Sequence, residues 1–277
     1  MQTNNFTTSK IWKQSNKIRY DISNIVTLDN VDFLIRENEI LCLQFFAINF
    51  SENLLKLIKS SIVNDKKVVF KYIDLSKDQL EFLKTWCNEN KLQLIINDQW
   101  KAPTLSINES LNVYIKSKCE LLKRDYVKYV NDDTLEYKIF NGNLDLWTSV
   151  LSIDKRSWKG KDKCDMKSLD REDLQYVFYL MSEPSKSSLM VAFKDKAPLA
   201  YSLWFKADND TWFAVKWGAS DNGRIYNAGI KVLFNHMNHI LNDQNNNLKL
   251  DFWGRRSQFY DMLKNGEVDR YHFEIRG

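Results

Sequence analysis

The stretch that decides the fold runs from Thr211 to Trp253 and reads TWFAVKWGAS (211–220), DNGRIYNAG (221–229), IKVLFNHMNHILND (230–243) and LKLDFW (248–253). Its first and last parts are rich in aromatic and branched apolar residues, which predicts strands. The third part predicts an amphipathic helix, because apolar residues recur at helical spacing: Ile230, Leu233, Phe234, Met237, Ile240 and Leu241. The predicted order is therefore strand, loop, helix, strand.

The turn Arg224-Ile225-Tyr226-Asn227-Ala228-Gly229 leads into that helix. A helix start presents N–H groups that lack intrahelical acceptors, together with the positive end of the helix dipole. Phosphate is the usual ligand of such a site. The sequence thus predicts a phosphate-binding turn; the alternative, a plain loop with a glycine before a helix, stays open.

The segments on either side of this stretch complete a domain. LMVAFK, PLAYSLWFKA and TWFAVKWGAS predict three antiparallel strands joined by short turns, the first at Asp195-Lys196. GRRSQFYDML predicts a short helix, and RYHFEI predicts a final strand. Upstream, Ser106-Ile107-Asn108-Glu109 has the pattern of a capping box and predicts a long helix over 109–130. A strand (TLEYKIF), a helix (NLDLWTSVLSIDKRSW), a loop over 159–170 and a helix (DLQYVFYLM) are expected next.

The N-terminal part predicts a small α/β layer with a mixed sheet. Strands are expected in VDFLI, EILCLQFFAI, KKVVFKYIDL and LQLIIN, and helices are expected to begin at Ser51 and at the capping box Ser76–Gln79. Pro103 marks a boundary. We therefore expect two domains, residues 1–105 and residues 106–277.

The composition excludes several classes of protein. Of 277 residues, 44% are hydrophobic and 13% aromatic, which argues against disorder. A net charge of +4 without a concentrated basic face argues against DNA binding. The four cysteines form no C-x-x-C pair, so no zinc site is predicted. With neither a secretory leader nor an apolar run long enough to span a membrane, the sequence predicts a reduced, cytoplasmic protein.

The order of three strands, a phosphate turn, a helix and a strand resembles the core of the GNAT superfamily of N-acyltransferases. The acyl-CoA turn of that family has the form Arg/Gln-x-x-Gly-x-Gly/Ala, and Arg224-x-x-Asn227-x-Gly229 resembles it with asparagine at the first glycine position. Asparagine is the residue that best replaces glycine in a left-handed backbone.

Three further segments resemble the FemAB-like and "BioF2-like" acetyltransferase branch of that superfamily: SINESLNVYIKSKCELLKRDYVKYVNDDTLEYKIF, LSIDKRSWKG and LKLDFWGRRSQFYDML. The resemblance covers roughly residues 100–277. It implies an α/β (α+β) fold of two GNAT-like halves, each a mixed, mostly antiparallel twisted sheet flanked by helices. The N-terminal half is expected to be degenerate.

The resemblance also implies a donor site and catalytic residues. The donor, an acyl-CoA or an acyl-phosphopantetheine carrier that acts as co-substrate and is not permanently bound, is expected to contact Trp217, Ser220, Arg224, Asn227, Ala228 and Gly229. Asp251 is the candidate general base for the attacking amine. Tyr260 and Tyr226 are the candidate general acids for the leaving thiolate. The alternatives are that Asp251 caps the next turn and that each tyrosine is packed in the core.

The acceptor is predicted to be a small-molecule amine, such as an amino sugar or an amino acid, that contacts Trp158, Lys159, Trp253, Arg255 and Arg256. For these basic residues the alternative is solvated charge. His236 and His239 are predicted to lie on a solvated face, and no metal site is expected. The basic helix 109–130 is either a solvated face or a docking surface for an acyl carrier protein or tRNA.

Three functions follow from these observations. The first is acyl transfer from a thioester to an amine by direct attack, without a covalent enzyme intermediate. The second is aminoacyl transfer from aminoacyl-tRNA, as in FemAB-type enzymes. The third is a GNAT-like protein that binds a ligand or partner without catalysis.

Overall fold

A computed structural model of the chain describes residues 10–46, 48–118, 120–130, 132–140, 147–157, 186–206, 210–242, 248–254 and 258–277. Contacts divide the chain into two compact units, one formed by residues 1–102 with 267–277 and the other by residues 103–266. The final strand, expected in the second domain, therefore belongs to the first unit by its contacts. One long strand, β5 (Gln93–Ile107), begins in the first unit and ends in the second.

The first unit is a mixed sheet with helices. Its strands lie in the order β1-β2-β3-β4-β11-β5, with β3 and β4 parallel. A buried cluster of apolar side chains joins this sheet to its helices and includes Phe33, Ile58, Phe70, Leu83 and Phe273. The elements are α1 (Lys10–Arg19), a 3₁₀ turn (Ile22–Asn24), β1 (Ile25–Leu28), β2 (Val31–Ile35), β3 (Glu39–Cys42), α2 (Glu52–Val63), β4 (Lys67–Asp74), α3 (Lys77–Glu89), the first part of β5, and β11 (Gly266–Arg276).

The second unit is also a mixed sheet, and it lies in the order β5-β10-β9-β8-β7-β6. The strands from β6 to β9 pair antiparallel with one another, whereas β10 runs parallel to β9 and antiparallel to β5. The predicted fold class is thus confirmed. The elements are α4 (Leu111–Lys116), α5 (Glu120–Val130), β6 (Glu136–Phe140), α6 (Trp147–Lys155), β7 (Ser187–Lys194), β8 (Ala197–Lys206), β9 (Thr211–Ala219), α7 (Asp221–Ile225), α8 (Ala228–Asn242), β10 (Leu248–Asp251) and α9 (Gln258–Leu263).

Local signals at helix starts and turns are confirmed at three places. Ser51 accepts a hydrogen bond from the amide of Leu54, and the capping box between Ser76 and Gln79 is complete. Asp195 and Lys196 have φ values of 49° and 67°, which is the left-handed pair that a two-residue hairpin turn requires.

The predicted helix over 109–130 is wrong at its start and in its continuity. Ser106 lies in β5, where it pairs with Lys249 of β10, so it caps nothing. The cap is Ser110, whose hydroxyl accepts from the amide of Val113. Two helices, α4 and α5, follow in place of one. Strand pairing with β10 extends β5 through the sequence that reads locally as a helix start. The predicted loop 159–170 lies outside the described residues, and so does the predicted helix after it.

The prediction of a solvated face for His236 is also wrong. His236 is fully buried, and its Nε2 lies 2.8 Å from the hydroxyl oxygen of Ser188 on β7. Helix α8 packs on the sheet on one side and against α5 on the other, where the hydroxyl of Tyr126 donates to Asn238 at 2.8 Å. His236 faces the sheet, since its ring also lies 6.3 Å from that of Trp204 on β8, so the strands cover this polar residue although it is off the apolar stripe.

Burial, and to a smaller extent the charge of the nearby His239, lowers the pKa of His236 to about 3. The unfolded chain takes up this proton near pH 6.5, while the folded chain resists it down to about pH 3. Between these values the unfolded state binds more protons, so the free energy of unfolding falls as pH falls. We expect urea unfolding from pH 7 to pH 4 to show a loss of up to ~1.4 kcal/mol per pH unit relative to His236→Gln. Equal pH slopes for the two proteins would contradict this.

Candidate active site

Strands β9 and β10 separate after a short parallel contact. Their pairing is confined to Thr211–Phe213 on β9 and Lys249–Asp251 on β10, whereas β9 continues to Ala219. Among the described strands, none pairs with this side of Ala214–Ala219. A register shift opposite Leu203 and Trp204 leaves Val215 as an extra residue of β9, which is a β-bulge. Residues 214–219 of β9 therefore lie at an edge that no described strand covers, the open edge of β9.

One face of the open edge carries Trp217 and Tyr260. Trp217 hydrogen-bonds through its side chain to Tyr260, and because an indole N–H only donates, the phenol oxygen is the acceptor. Helix α8 meets the same face, since a Cβ on Gly229 would lie 3.1 Å from the ring of Trp217 and 3.3 Å from Ala219. The structure thus brings three of the predicted site residues together.

Tyr260 is set up to keep its proton. Its ring stacks on Phe252 with centroids 4.4 Å apart, and the residue is 7% exposed. Burial raises the pKa of Tyr260 well above its ordinary value, and the hydrogen bond from Trp217 only partly opposes this. The phenol is therefore protonated at neutral pH, as a general acid must be.

Asp251 is the last residue of β10 and is buried. One carboxylate oxygen accepts from the amide of Trp253 at 2.7 Å, and Trp253 has a φ of 57°. The ring of Trp253 lies edge-on to Phe213, with centroids 6.1 Å apart, at the point where β9 and β10 part. The carboxylate therefore holds the turn that leaves the sheet, and it lies beside the open edge.

The segment after β9 is more structured than the sequence predicts. Ser220 caps α7: its hydroxyl accepts from the amide of Gly223 at 3.1 Å and lies 3.2 Å from the carbonyl of Leu199. Its side chain is thus engaged within the chain. Arg224 lies in α7 and is exposed, as is Tyr226 just after it. Gly223 is required by packing, since a Cβ there would lie 2.4 Å from the carbonyl oxygen of Leu199.

Asn227 makes the left-handed turn between α7 and α8, with a φ of 53°. Its amide donates to Arg224, and its carbonyl accepts from Lys231. The next amides, those of Ala228, Gly229 and Ile230, open α8 and have no acceptor within the helix. This is the backbone geometry that the predicted turn needs.

In the first unit, the chain itself occupies the places that correspond to the start of α8 and to the open edge of β9. At the start of α2, the carboxylate of Asp29 accepts hydrogen bonds from Ser51 and Asn53. Beside the parallel pair β3–β4, Phe46 occupies the edge of β4: its amide donates to Tyr72 at 2.7 Å, and its carbonyl accepts from Asp74 at 2.9 Å. Among the described residues, neither kind of filling is present at the edge of β9 or at the start of α8.

Some predicted residues fall outside this picture, and others were missed. Four of the predicted acceptor residues lie outside the described residues: Trp158, Lys159, Arg255 and Arg256.

Sequence reasoning missed a buried cluster of Asp154, Tyr201 and Lys216. The one available signal for it was a lysine within an otherwise apolar strand. Within the described part of the chain, no group of His, Cys, Asp and Glu is placed to hold a metal ion. A surface depression beside Cys87 in the first unit is unrelated to the open edge, and burial raises the pKa of that thiol to about 11.

Comparison with known proteins bears on the fold. No model of a known protein family matches the sequence, and no curated protein matches it. The C-terminal domain of a putative lysylphosphatidylglycerol synthetase from Agrobacterium fabrum is similar over 98% of this chain and 92% of that one, with a TM-score of 0.61 and 12% identity. FemX is similar over 95% of this chain and 94% of its own, with a TM-score of 0.59 and 11% identity. A tandem GNAT protein from the clavulanic acid biosynthesis pathway is similar over 88% of this chain and 77% of its own, with a TM-score of 0.54 and 8% identity.

The chain has a GNAT-like fold. FemX is among the solved structures that share this fold. In this fold, helix α8 connects β9 to β10, and the two strands separate after Phe213 and Asp251. None of the described helices is long and apolar enough to cross a membrane.

The left-handed conformation of Asn227 gives a direct test of the turn. Asn227→Gly should keep or slightly raise the free energy of unfolding, because glycine adopts this conformation without strain. Asn227→Val should lose about 1–2 kcal/mol, since a β-branched residue resists positive φ. Urea unfolding measures both changes. A valine variant as stable as the wild type would contradict the turn described here.

Proposed function

We propose that the second unit is an acyltransferase that binds an activated acyl donor along the open edge of β9 and transfers the acyl group to an amine. The observation that supports this most is the parting of the strands after Phe213 and Asp251. It leaves a row of backbone donors and acceptors beside a protonated phenol and a buried carboxylate. A cytoplasmic location remains a prediction from the sequence.

The residues at the edge suggest the steps of the reaction. A backbone N–H of β9 polarises the acyl carbonyl. The amine attacks the carbonyl carbon, so that a C–N bond forms and the bond to the leaving group breaks. Asp251 takes the proton of the amine, directly or through a water molecule. Tyr260 donates its own proton to the leaving thiolate, and the proton taken by Asp251 restores the phenol through solvent.

A thioester is the donor that the turn favours. The amides that open α8 suit the phosphates of coenzyme A or of a phosphopantetheine arm, and the exposed Arg224 adds a charge-assisted contact. Because the hydroxyl of Ser220 caps α7, the backbone of β9 is proposed to make the contacts to the pantetheine amides. A small amine is the proposed acceptor.

An aminoacyl-tRNA donor is the second candidate. The similarity to FemX and to the lysylphosphatidylglycerol synthetase domain, at TM-scores of 0.59 and 0.61, supports it. An aminoacyl ester can use the same open edge, and α5 with α4 would be the surface for tRNA phosphates. Two lysines of this surface already have local partners: Lys123 pairs with Glu120, and Lys118 donates to the carbonyl of Lys264.

Donor binding separates these candidates. The purified chain is heated alone, with acetyl-CoA and longer acyl-CoAs, with an acyl carrier protein, and with an aminoacyl-tRNA mixture. The true donor at 100 times its Kd should stabilise the fold by about 2.7 kcal/mol, whereas the free acids should not. A shift with the tRNA mixture alone selects the second candidate. If no donor raises the Tm, the acyltransferase proposal is wrong and binding without catalysis is left.

Removal of the proposed base tests the chemistry. Asp251→Asn keeps an oxygen that accepts from the amide of Trp253, so the fold and donor binding should persist. Turnover should fall by about 10²–10⁴-fold if Asp251 is the general base. Asp195→Asn, on an exposed hairpin turn, is the matched control and should leave the rate unchanged. Full turnover by Asp251→Asn would remove Asp251 from the mechanism.

A further inference from the structure

A buried ionic cluster lies on the other face of β9. The Nζ of Lys216 pairs with one carboxylate oxygen of Asp154, which comes from α6. The hydroxyl of Tyr201 on β8 donates to the other carboxylate oxygen at 2.7 Å. The side chain of Asp154 is 2% exposed and that of Lys216 is 15% exposed. Lys216 is therefore the member of the cluster that reaches solvent.

The sheet register places this cluster on the face of the sheet that α8 does not cover. Tyr201 pairs with Gly218, and a Cβ on Gly218 would lie 3.1 Å from the ring of Tyr201 and 3.3 Å from Asp154. Trp217 points to the α8 face, and successive side chains of a strand alternate between faces. Lys216 and Gly218 thus share the α6 face, whereas the proposed donor turn is on the α8 side.

Within the described part of the chain, the ammonium of Lys216 has more donors than it has acceptors. A lysine ammonium carries three N–H donors. Among the described residues, Asp154 is the one partner of Lys216. The exposed part of this side chain lets a ligand oxygen reach the remaining donors, and an anionic oxygen there would make a charge-assisted hydrogen bond.

We propose that Lys216 binds the anionic group of the acyl acceptor, an amine that also carries a carboxylate or a phosphate. This inference rests on the proposed acyl transfer. Side chains stand roughly perpendicular to a sheet, so a donor carbonyl bonded to the edge of β9 lies in line with the sheet and Lys216 lies above it. The acceptor then approaches from the α6 face while the donor phosphates remain near α8.

Asp154 and Tyr201 act as positioning residues. Both oxygens of Asp154 are engaged, one by Lys216 and the other by Tyr201, which leaves this carboxylate poorly placed to take a proton from an amine. Together they fix the direction of the ammonium. Burial and the neighbouring Asp154 raise the pKa of Tyr201 well above its ordinary value, so the phenol remains a donor to Asp154.

Two matched pairs of amines test the inference: glycine with glycinamide, and glucosamine 6-phosphate with glucosamine. Isothermal titration calorimetry measures their binding to the full chain, with and without any acyl donor that raises the Tm. The wild type should bind at least one anionic member more tightly than its neutral partner. The glycine pair reports a carboxylate and the glucosamine pair a phosphate.

The variant that decides the matter is the double substitution Asp154→Asn with Lys216→Met. It removes both charges, so it leaves no buried charge unpaired as Lys216→Met alone does. Its Kd for the anionic amine should rise by about 10- to 100-fold, with binding of the neutral partner and of the donor unchanged. Tyr201→Phe keeps the ion pair but removes the hydrogen bond that orients Asp154, so it should weaken the preference less than the double variant does.

Two results overturn the inference: a wild type that binds no anionic amine more tightly than its neutral partner, and a double variant that is folded and keeps the preference. The proposed acyl transfer fails in a different way, when no donor raises the Tm. In that case anionic amines still bind and the double variant still loses them, which marks a binding site without catalysis.

Discussion

The limited contact between β9 and β10 is the constraint on which the proposed site depends. Three residues on each strand pair in parallel, while β10 is held on its other side by four residues of β5. Asp251 then accepts a hydrogen bond from the amide of Trp253, which stabilises the turn that leads the chain away from the sheet. Had β10 continued beside β9, the edge would be closed by backbone pairing and no ligand could use it. The carboxylate that shapes the gap is also the one proposed to act in it.

The two units repeat one connection with different outcomes. In the first, β3, α2 and β4 form a parallel crossover, and in the second β9, α8 and β10 do the same. Both second strands end in aspartate, Asp74 and Asp251. Asp74 is bound by both ends of the buried Arg270 guanidinium, at 2.6 and 3.1 Å. The carboxylate of the first unit is thus neutralised in a closed gap, which is consistent with a degenerate half.

Local signals account for what the sequence predicts well. Strands β7, β8 and β9, the hairpin turn at Asp195-Lys196, the cap at Ser51 and the left-handed Asn227 each follow from a few adjacent residues. Failures arise where distant parts of the chain decide. Ser106 reads as a helix cap until β10, more than a hundred residues later, pairs with it. His236 reads as solvated because nothing local shows that β7 and β8 cover its side of α8. Asp154 and Lys216 are 62 residues apart, so their ion pair has no sequence signature.

The placement of β11 has a consequence for how the chain folds during synthesis. Strand β11 pairs with β4 in the first unit, although the whole second unit separates the two strands in sequence. Domains usually fold as the ribosome releases them, the N-terminal one first. Here the sheet of the first unit lacks an interior strand until residues 267–277 emerge. The native sheet of the first unit therefore forms only after the whole second unit has been synthesised.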